Sequence, residues 1–179
     1  MNKTKNKEKG FSLIELLVVV AIIGILAAVG IVAYSGYTAS AKINAAKTAH
    51  STVTKFIQAE VTKCDTGAST TMGVVLATGL TNTAATCALN RGSGTGTAAA
   101  ATFIAHFHGK AFRNPHNSEI FASDTTCTGG TNQPASPNTM LGCSVITSEN
   151  SNNDLQISTC TESPCADTGH TLVSTVSLE

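Results

Sequence analysis

The chain has 179 residues, with equal numbers of acidic and basic residues and therefore no formal net charge. That length suits one domain with an appendage. The charge is unevenly distributed: the first ten residues carry four lysines and one glutamate, and the remainder carries seven basic and ten acidic residues. A mildly acidic chain of this kind lacks the basic character of a nucleic-acid-binding domain, and we predict no specific nucleic-acid site.

An apolar segment follows the basic N-terminus. Between Leu16 and Ala33 there is no charged residue and no proline, and this run of about 18 residues, about 27 Å long as a helix, is a candidate membrane span. An ordinary secretory signal peptide is excluded because the apolar stretch from Phe11 is too long, contains Glu15 and has no small-residue cleavage site after a short apolar core. The lysines precede the segment, so we expect a cytoplasmic N-terminus and a C-terminal part in an oxidising compartment.

All six cysteines follow the apolar segment, and their even number in an exported region favours disulfides. A zinc site is disfavoured because no Cys-x-x-Cys pair occurs and the spacings are irregular. Six cysteines allow 15 pairings. We expect nearest neighbours to pair, with Cys143 bonded to Cys160 or Cys165 as the rival arrangement. The expected pairs are Cys64–Cys87, Cys127–Cys143 and Cys160–Cys165.

The apolar segment carries a long, ordered motif. Residues 10–28 read GFSLIELLVVVAIIGILAA, which resembles the N-terminal segment of type IV pilins and of their relatives, the pseudopilins of type II secretion. The resemblance covers the N-terminal quarter closely and the rest of the chain only in general layout. In the C-terminal region it favours a disulfide-bounded loop, as pilins often have.

The resemblance implies a processing site and an assembly contact. A prepilin peptidase would cleave between Gly10 and Phe11 and methylate the new amino terminus of Phe11. Glu15 would then pair with the N-terminal amine of a neighbouring subunit and set the register of a filament. The alternative for residues 1–10 is a cytoplasmic tail that is not removed. The alternative for Glu15 is a carboxylate at the membrane interface that stays hydrated. The chain departs from many relatives at Val32, where they have a proline that kinks the helix.

The helix is predicted to continue beyond the membrane segment to Cys64, over about 54 residues, because no proline interrupts it and apolar positions recur every three or four residues. Its first half is apolar on all sides and its second half is amphipathic. This stripe comprises Ile43, Ala46, Ala49 or His50, Val53, Phe56 or Ile57, and Val61. We therefore divide the chain into a leader (1–10), a hydrophobic helix (11–35), an amphipathic half-helix (36–64) and a disulfide-bonded globular head (65–179).

The head is predicted to be built from short strands. From Asp65 the composition shifts to threonine, alanine, glycine, serine and asparagine, and short, partly β-branched runs are separated by turn residues. We also expect a short helix or strand at 74–80. The strand predictions are 98–112, 119–123, 139–147, 154–159 and 171–178. A long helix followed by strands indicates the α+β class, and the resemblance implies the type IV pilin fold, in which the second half of the helix packs on a small antiparallel sheet.

Catalytic and cofactor sites are not evident. The glycine-rich segment 91–97 lacks the Gly-Lys-Ser/Thr ending of a phosphate-binding loop, and no serine lies in a nucleophile elbow. A candidate metal cluster is formed by His106, His108 and His116, but no acid or cysteine lies at a convincing ligand spacing. We predict no enzyme activity, no metal and no cofactor, and these histidines are interpreted as partly exposed residues on a strand.

The resulting hypothesis is a major type IV pilin, held in the inner membrane by one helix with its head in the periplasm and then assembled into an extracellular pilus. Implied partners are other copies of the chain, membrane lipid, a prepilin peptidase, an inner-membrane platform, an assembly ATPase and an outer-membrane secretin. The alternatives are a type II secretion pseudopilin and a membrane-anchored enzyme or binding domain. Use in adhesion, twitching motility or DNA uptake is left open.

Overall fold

The computed structural model describes residues 10–74, 85–87, 96–110, 112–116, 123–124, 141–149, 154–165, 167 and 169–178. Contacts between residues divide the chain into two compact units, residues 1–40 and residues 41–179. The boundary lies within the first helix, so each unit contains part of that helix.

Helix α1 covers Leu13–Asp65, 53 residues. It has no internal proline, and its glycines do not interrupt it. The helix ends where Gly67 adopts a left-handed conformation (φ 69°), which glycine accepts without a Cβ penalty. The amide of Gly67 donates to the carbonyl of Cys64 at 3.1 Å, and the amide of Ser69 donates to Lys63 at 3.2 Å. The prediction of a long N-terminal helix is confirmed.

Among the described residues, seven shorter elements follow α1. Strands β1 (Thr71–Met72) and β2 (Ala85–Thr86) pair antiparallel after the helix. Helix α2 covers Gly96–Gly109. The remaining strands are β3 (Ser123–Asp124), β4 (Ser144–Glu149), β5 (Asp154–Cys160) and β6 (Thr171–Ser177).

The main sheet has the strand order β3-β4-β5-β6. Strands β4, β5 and β6 are antiparallel, and the two-residue β3 adds a parallel pair at the edge of β4. Alternate residues are buried, and the register places Ile146 opposite Ile157 and Leu155 opposite Val176. One face of the sheet is therefore apolar. The α+β class with a small antiparallel sheet in the C-terminal part is confirmed.

The predicted strands agree with the described sheet to different extents. Strands β5 and β6 match the predictions 154–159 and 171–178, and β4 begins later than the predicted 139–147. Residues 139–140 of that prediction lie outside the described residues, as do 119–122 of the prediction that reaches β3 and 75–80 of the segment predicted at 74–80.

Residues 98–112 do not form the predicted strand, because 98–109 lie within α2. Alanine has the highest helix propensity, and positions 98–101 are all alanine. The buried positions of this segment are also three or four residues apart, as on one face of a helix. They are Ala99, Ala100, Phe103, Ile104, His106 and Phe107. The interpretation of His106 as a partly exposed residue on a strand is therefore also wrong, since His106 is buried and lies in α2.

The core of residues 41–179 lies where the second part of α1 meets α2 and the apolar face of the sheet. Phe103 and Ile57 are fully buried in it, and the ring of Phe56 meets Phe103 edge to face at 6.3 Å and Phe107 at 5.5 Å. The α1 residues in this cluster are Val53, Ile57, Val61 and Cys64. They repeat every three or four residues, so burial of one apolar stripe attaches the helix to the head.

Candidate processing and assembly site

The start of α1 is open to solvent. The Phe11 side chain is 78% exposed. A Cβ added to Gly10 would meet no described atom within 4 Å, and this glycine does not have a positive φ. The fold around Gly10 therefore does not require glycine at this position, and a larger residue would fit sterically.

Glu15 has a local hydrogen-bond partner at the start of the helix. The backbone N–H of Ser12 donates to Glu15 Oε2 at 2.9 Å, while the carbonyl of Ser12 accepts from the amides of Glu15 (3.1 Å) and Leu16 (3.3 Å). Ser12 is thus the N-cap, and Glu15 is the third helical residue, reaching back to it as in a capping box. The sequence analysis missed this role of Ser12, although the signal Ser-x-x-Glu was readable at positions 12–15.

The surface of α1 from residue 13 to residue 37 is apolar and exposed. The helix includes an 18-residue window with a mean hydropathy of 3.2 and none of that window buried, so it is long and apolar enough to cross a membrane. An open groove of about 410 Å³ lies beside Glu15 and is lined by Phe11, Ile14, Val18 and Val19. Such a surface needs an apolar environment, from lipid or from protein.

Two disulfides join described cysteines in residues 41–179. Cys64, in the last turn of α1, is bonded to Cys87 with a Cα–Cα distance of 5.4 Å, and Cys160 at the end of β5 is bonded to Cys165 with 5.3 Å. Cys143 is also disulfide-bonded. The expected pair Cys127–Cys143 includes Cys127, which lies outside the described residues.

A buried histidine connects α1 to the sheet. His50 Nδ1 lies 2.9 Å from Thr159 Oγ1 on β5, and His50 Nε2 lies 2.9 Å from Ser174 Oγ on β6. The Thr159 hydroxyl also lies 2.6 Å from Ser144 Oγ on β4. Burial lowers the pKa of His50, because a low-dielectric environment disfavours the imidazolium. The structure therefore favours neutral His50, with one ring nitrogen donating and the other accepting.

A buried carboxylate holds the segment that follows α1. Glu60 accepts a hydrogen bond from the Gly73 N–H at 2.6 Å and pairs with Lys63. Burial raises the pKa of Glu60, but the hydrogen bonds from Lys63 and Gly73 outweigh it, so the pKa is lowered overall. Glu60 therefore remains a carboxylate and anchors the backbone just after β1 to the helix.

The three histidines considered as a candidate metal cluster occupy different settings. The His106 ring stacks on Phe56 at 4.2 Å and is buried, and burial lowers its pKa. His116 is half-buried, and its Nε2 has no hydrogen-bond partner among the described residues. The His108 side chain lies outside the description. Within the described ranges, no group of three His, Cys, Asp or Glu residues is placed to hold a metal ion.

Comparison with known proteins identifies the N-terminal segment. A family model described as the prokaryotic N-terminal methylation motif matches residues 5–31. The match spans Gly10, Phe11 and Glu15 and ends within the apolar part of α1. It describes a structural motif and not an enzyme family. No curated protein and no solved structure matches the chain.

Proposed function

We propose that this chain, a type IV pilin-like prepilin by its N-terminal methylation motif, is the major structural subunit of a type IV pilus. The observation that carries the proposal is the combination of that motif with the exposed apolar surface of the first part of α1. Burying one leucine, valine or isoleucine side chain contributes about 1.5–3 kcal/mol. The exposed positions include Leu13, Ile14, Leu16, Leu17, Val18, Val19, Val20, Ile22, Ile23, Ile25 and Leu26. Lipid before assembly and neighbouring helices after it supply that burial.

Processing converts the precursor into the assembling subunit. Prepilin peptidase hydrolyses the peptide bond between Gly10 and Phe11, which releases residues 1–10 and leaves a free amine on Phe11 for methylation. The exposure of Phe11 and the open space at Gly10 support access to this bond. Since the fold does not require glycine at position 10, recognition by the peptidase is the reason for it.

Glu15 guides assembly through its charge. A carboxylate within an apolar helix costs about 2.5–3.5 kcal/mol at the centre of a bilayer and less near its surface. Its Oε2 accepts from Ser12 within the same chain, and the Phe11 amine of a neighbouring copy supplies the opposite charge. Pairing these two groups removes an unpaired charge from the packed helices and fixes the axial offset between subunits.

The segments of the chain then have distinct roles. Residues 1–10 are the leader, 11–35 span the inner membrane and later line the filament core, 36–64 attach the helix to the head, and 65–179 form the disulfide-bonded head. The lysines place the N-terminus in the cytoplasm and the head in the periplasm before assembly. Assembly into an extracellular pilus requires an inner-membrane platform, a cytoplasmic ATPase and, in a Gram-negative cell, an outer-membrane secretin.

A pseudopilin of type II secretion is the second candidate, because the methylation motif supports both families. Pseudopilins form short periplasmic filaments, and the major ones generally bind calcium and have few cysteines. The six cysteines of this chain favour a head that is exposed outside the cell, where disulfides resist unfolding and proteolysis.

The test is the intact mass of the protein in filaments sheared from the native cell surface. We expect a chain that lacks residues 1–10, carries one added methyl group and has lost six hydrogens to three disulfides. A processed protein confined to the cell envelope would transfer the assignment to a pseudopilin or a minor pilin. If the protein retains its leader in every fraction, the assignment as a filament subunit is refuted.

A further inference from the structure

Charge is segregated along the mature chain. After Phe11, every lysine and arginine lies before residue 114, whereas residues 114–179 contain seven acidic residues and no lysine or arginine. The basic residues are Lys42, Lys47, Lys55, Lys63, Arg91, Lys110 and Arg113. Helix α1 therefore provides the largest set of cations, and the sheet that packs against it carries only acidic charges on β4, β5 and the segment before β6.

Three of the four lysines of α1, Lys47, Lys55 and Lys63, form what we call the lysine face. Lys47 and Lys63 lie about 80° on either side of Lys55 around the helix axis. All three are exposed, and Lys55 lies on the side of the helix opposite the buried stripe. An open groove of about 510 Å³ on this side is lined by Lys55, Lys63 and uncharged residues, including Gln58 and Thr62. Lys63 pairs with Glu60, but within the described ranges Lys47 and Lys55 form no ion pair.

The acidic counterpart lies at one end of the sheet. Glu149, the last residue of β4, is directly opposite Asp154, the first residue of β5. Both residues are acidic, so this end of the hairpin concentrates negative charge. Glu149 is exposed and forms no ion pair with any residue that the structure describes. We call these two residues the acidic hairpin end.

One subunit does not bring Lys55, the centre of the lysine face, to the acidic hairpin end. The opposite side of α1 is fixed to the sheet through His50, which contacts Thr159 on β5 and Ser174 on β6. Lys55 therefore faces away from the sheet that carries Glu149. Contact between the surfaces requires a second copy of the chain.

We propose that the lysine face of one subunit docks against the acidic hairpin end of a neighbouring subunit in the filament, an inference that rests on the proposed function. The two surfaces are complementary in charge and belong to the same chain, so a second copy is the partner. They are also different surfaces, and a contact between different patches is heterologous. A contact of this kind builds an open helical filament where the rotation between subunits does not close into a ring. Electrostatic attraction of this kind fixes register and disfavours wrong alignments.

The first experiment reverses the charges in the full-length protein produced in its native cell. We expect Lys55→Glu and Glu149→Lys each to reduce the amount of pilin in the sheared filament fraction about ten-fold, because attraction becomes repulsion at every subunit contact. The double variant restores the attraction with the signs exchanged and should recover most of the filaments. Lys110→Glu makes the same change in net charge as Lys55→Glu, but at an exposed position on neither surface, and should assemble like the unmodified protein.

The second experiment leaves the charges unchanged and does not depend on how the variants fold. A photoreactive amino acid at Gln58, between Lys55 and Lys63 in the chain, should crosslink to Glu149, Asp154 or their described neighbours in β4 and β5 of another subunit in intact filaments, as located by mass spectrometry. Single variants that assemble like Lys110→Glu, or crosslinks that exclude β4 and β5, would overturn the inference while the pilin assignment stands. An absence of filaments from the unmodified chain would instead refute the proposed function.

Discussion

Replacing His50 by leucine is expected to destabilise the unit formed by residues 41–179. The substitution removes both hydrogen-bonding nitrogens while keeping a side chain that fills part of the same buried space. The two lost contacts are those with Thr159 and Ser174, each 2.9 Å long. They connect α1 to the central strand and to the last strand of the antiparallel sheet.

The size of the destabilisation depends on whether the hydroxyls of Thr159 and Ser174 have other hydrogen-bond partners once His50 is removed. A neutral hydrogen bond contributes about 0.5–1.5 kcal/mol net, and a buried group left without a partner costs about 1–3 kcal/mol. The Thr159 hydroxyl keeps Ser144 at 2.6 Å, and half-buried Ser174 can turn to water. We therefore expect His50→Leu to lower the free energy of unfolding by about 1–3 kcal/mol at pH 7.5.

The difference between the two proteins should shrink in acid. Burial lowers the pKa of His50 in the folded state, below the value of about 6.5 of an unfolded chain. As the pH falls below about 6.5, the unfolded state binds a proton before the folded state does, so the unmodified protein loses stability until the folded-state pKa is passed. His50→Leu has no such group, and its stability should change less with pH.

The assay is guanidinium unfolding of the oxidised fragment 41–179 at pH 7.5, 6.5 and 5.5, followed by circular dichroism. Thr159→Val provides a double-mutant cycle, because it removes the partner and leaves His50 in place. We expect a coupling energy between the two sites of about 0.5–3 kcal/mol. Equal pH dependence of the unmodified fragment and His50→Leu, together with additive effects of the two substitutions, would refute the reasoning.

Three further predictions concern the start of α1 and the segment after it. Glu15→Gln keeps a residue that can complete the capping box but loses the charge, whereas Glu15→Ala loses both. If the charge drives assembly, both variants are cleaved by the peptidase and neither appears in sheared filaments. Normal piliation of Glu15→Gln would show that the charge is dispensable. Glu60→Ala should destabilise the same fragment by about 1.5–3 kcal/mol at pH 7 in guanidinium unfolding, because the Gly73 N–H loses a charged acceptor. The pKa of Glu60 is lowered in the folded state, so its stabilising contribution is fully present above the pKa of the unfolded chain. The contribution disappears as the pH falls through the folded-state pKa, and an effect of Glu60→Ala on stability that does not vary with pH would contradict this prediction. Replacing Cys64 and Cys87 together by serine opens a loop with a sequence separation of 23 and should lower the free energy of unfolding by about 3 kcal/mol in the same assay. A loss of less than about 1 kcal/mol would show that the disulfide does not stabilise the fold by constraining the denatured state.

Helix α1 was predictable because its signals are local. An uncharged run as long as 16–33 can be stable only in an apolar environment, and the order of residues 10–28 identifies its processing signal. The buried stripe from Ala46 to Val61 follows directly from the helical period. Strands β5 and β6 alternate in burial in the same readable way.

Tertiary structure decided the rest, because distant partners leave no local signal. Residues 98–109 contain alanine and apolar side chains that can serve either a strand or a helix, and the helix prevailed by placing Phe103 and Phe107 against α1. The sequence offered Ala49 or His50 for one position in the buried stripe. It gave no sign of the two partners of His50, which lie 109 and 124 residues away along the chain. The pairing of Cys64 with Cys87 likewise depends on where the end of α1 meets β2. The sequence by itself determined which faces of the helices and strands are apolar, while the fold decided what covers each face. The reason is that closing long loops brings together segments whose sequence patterns do not depend on one another.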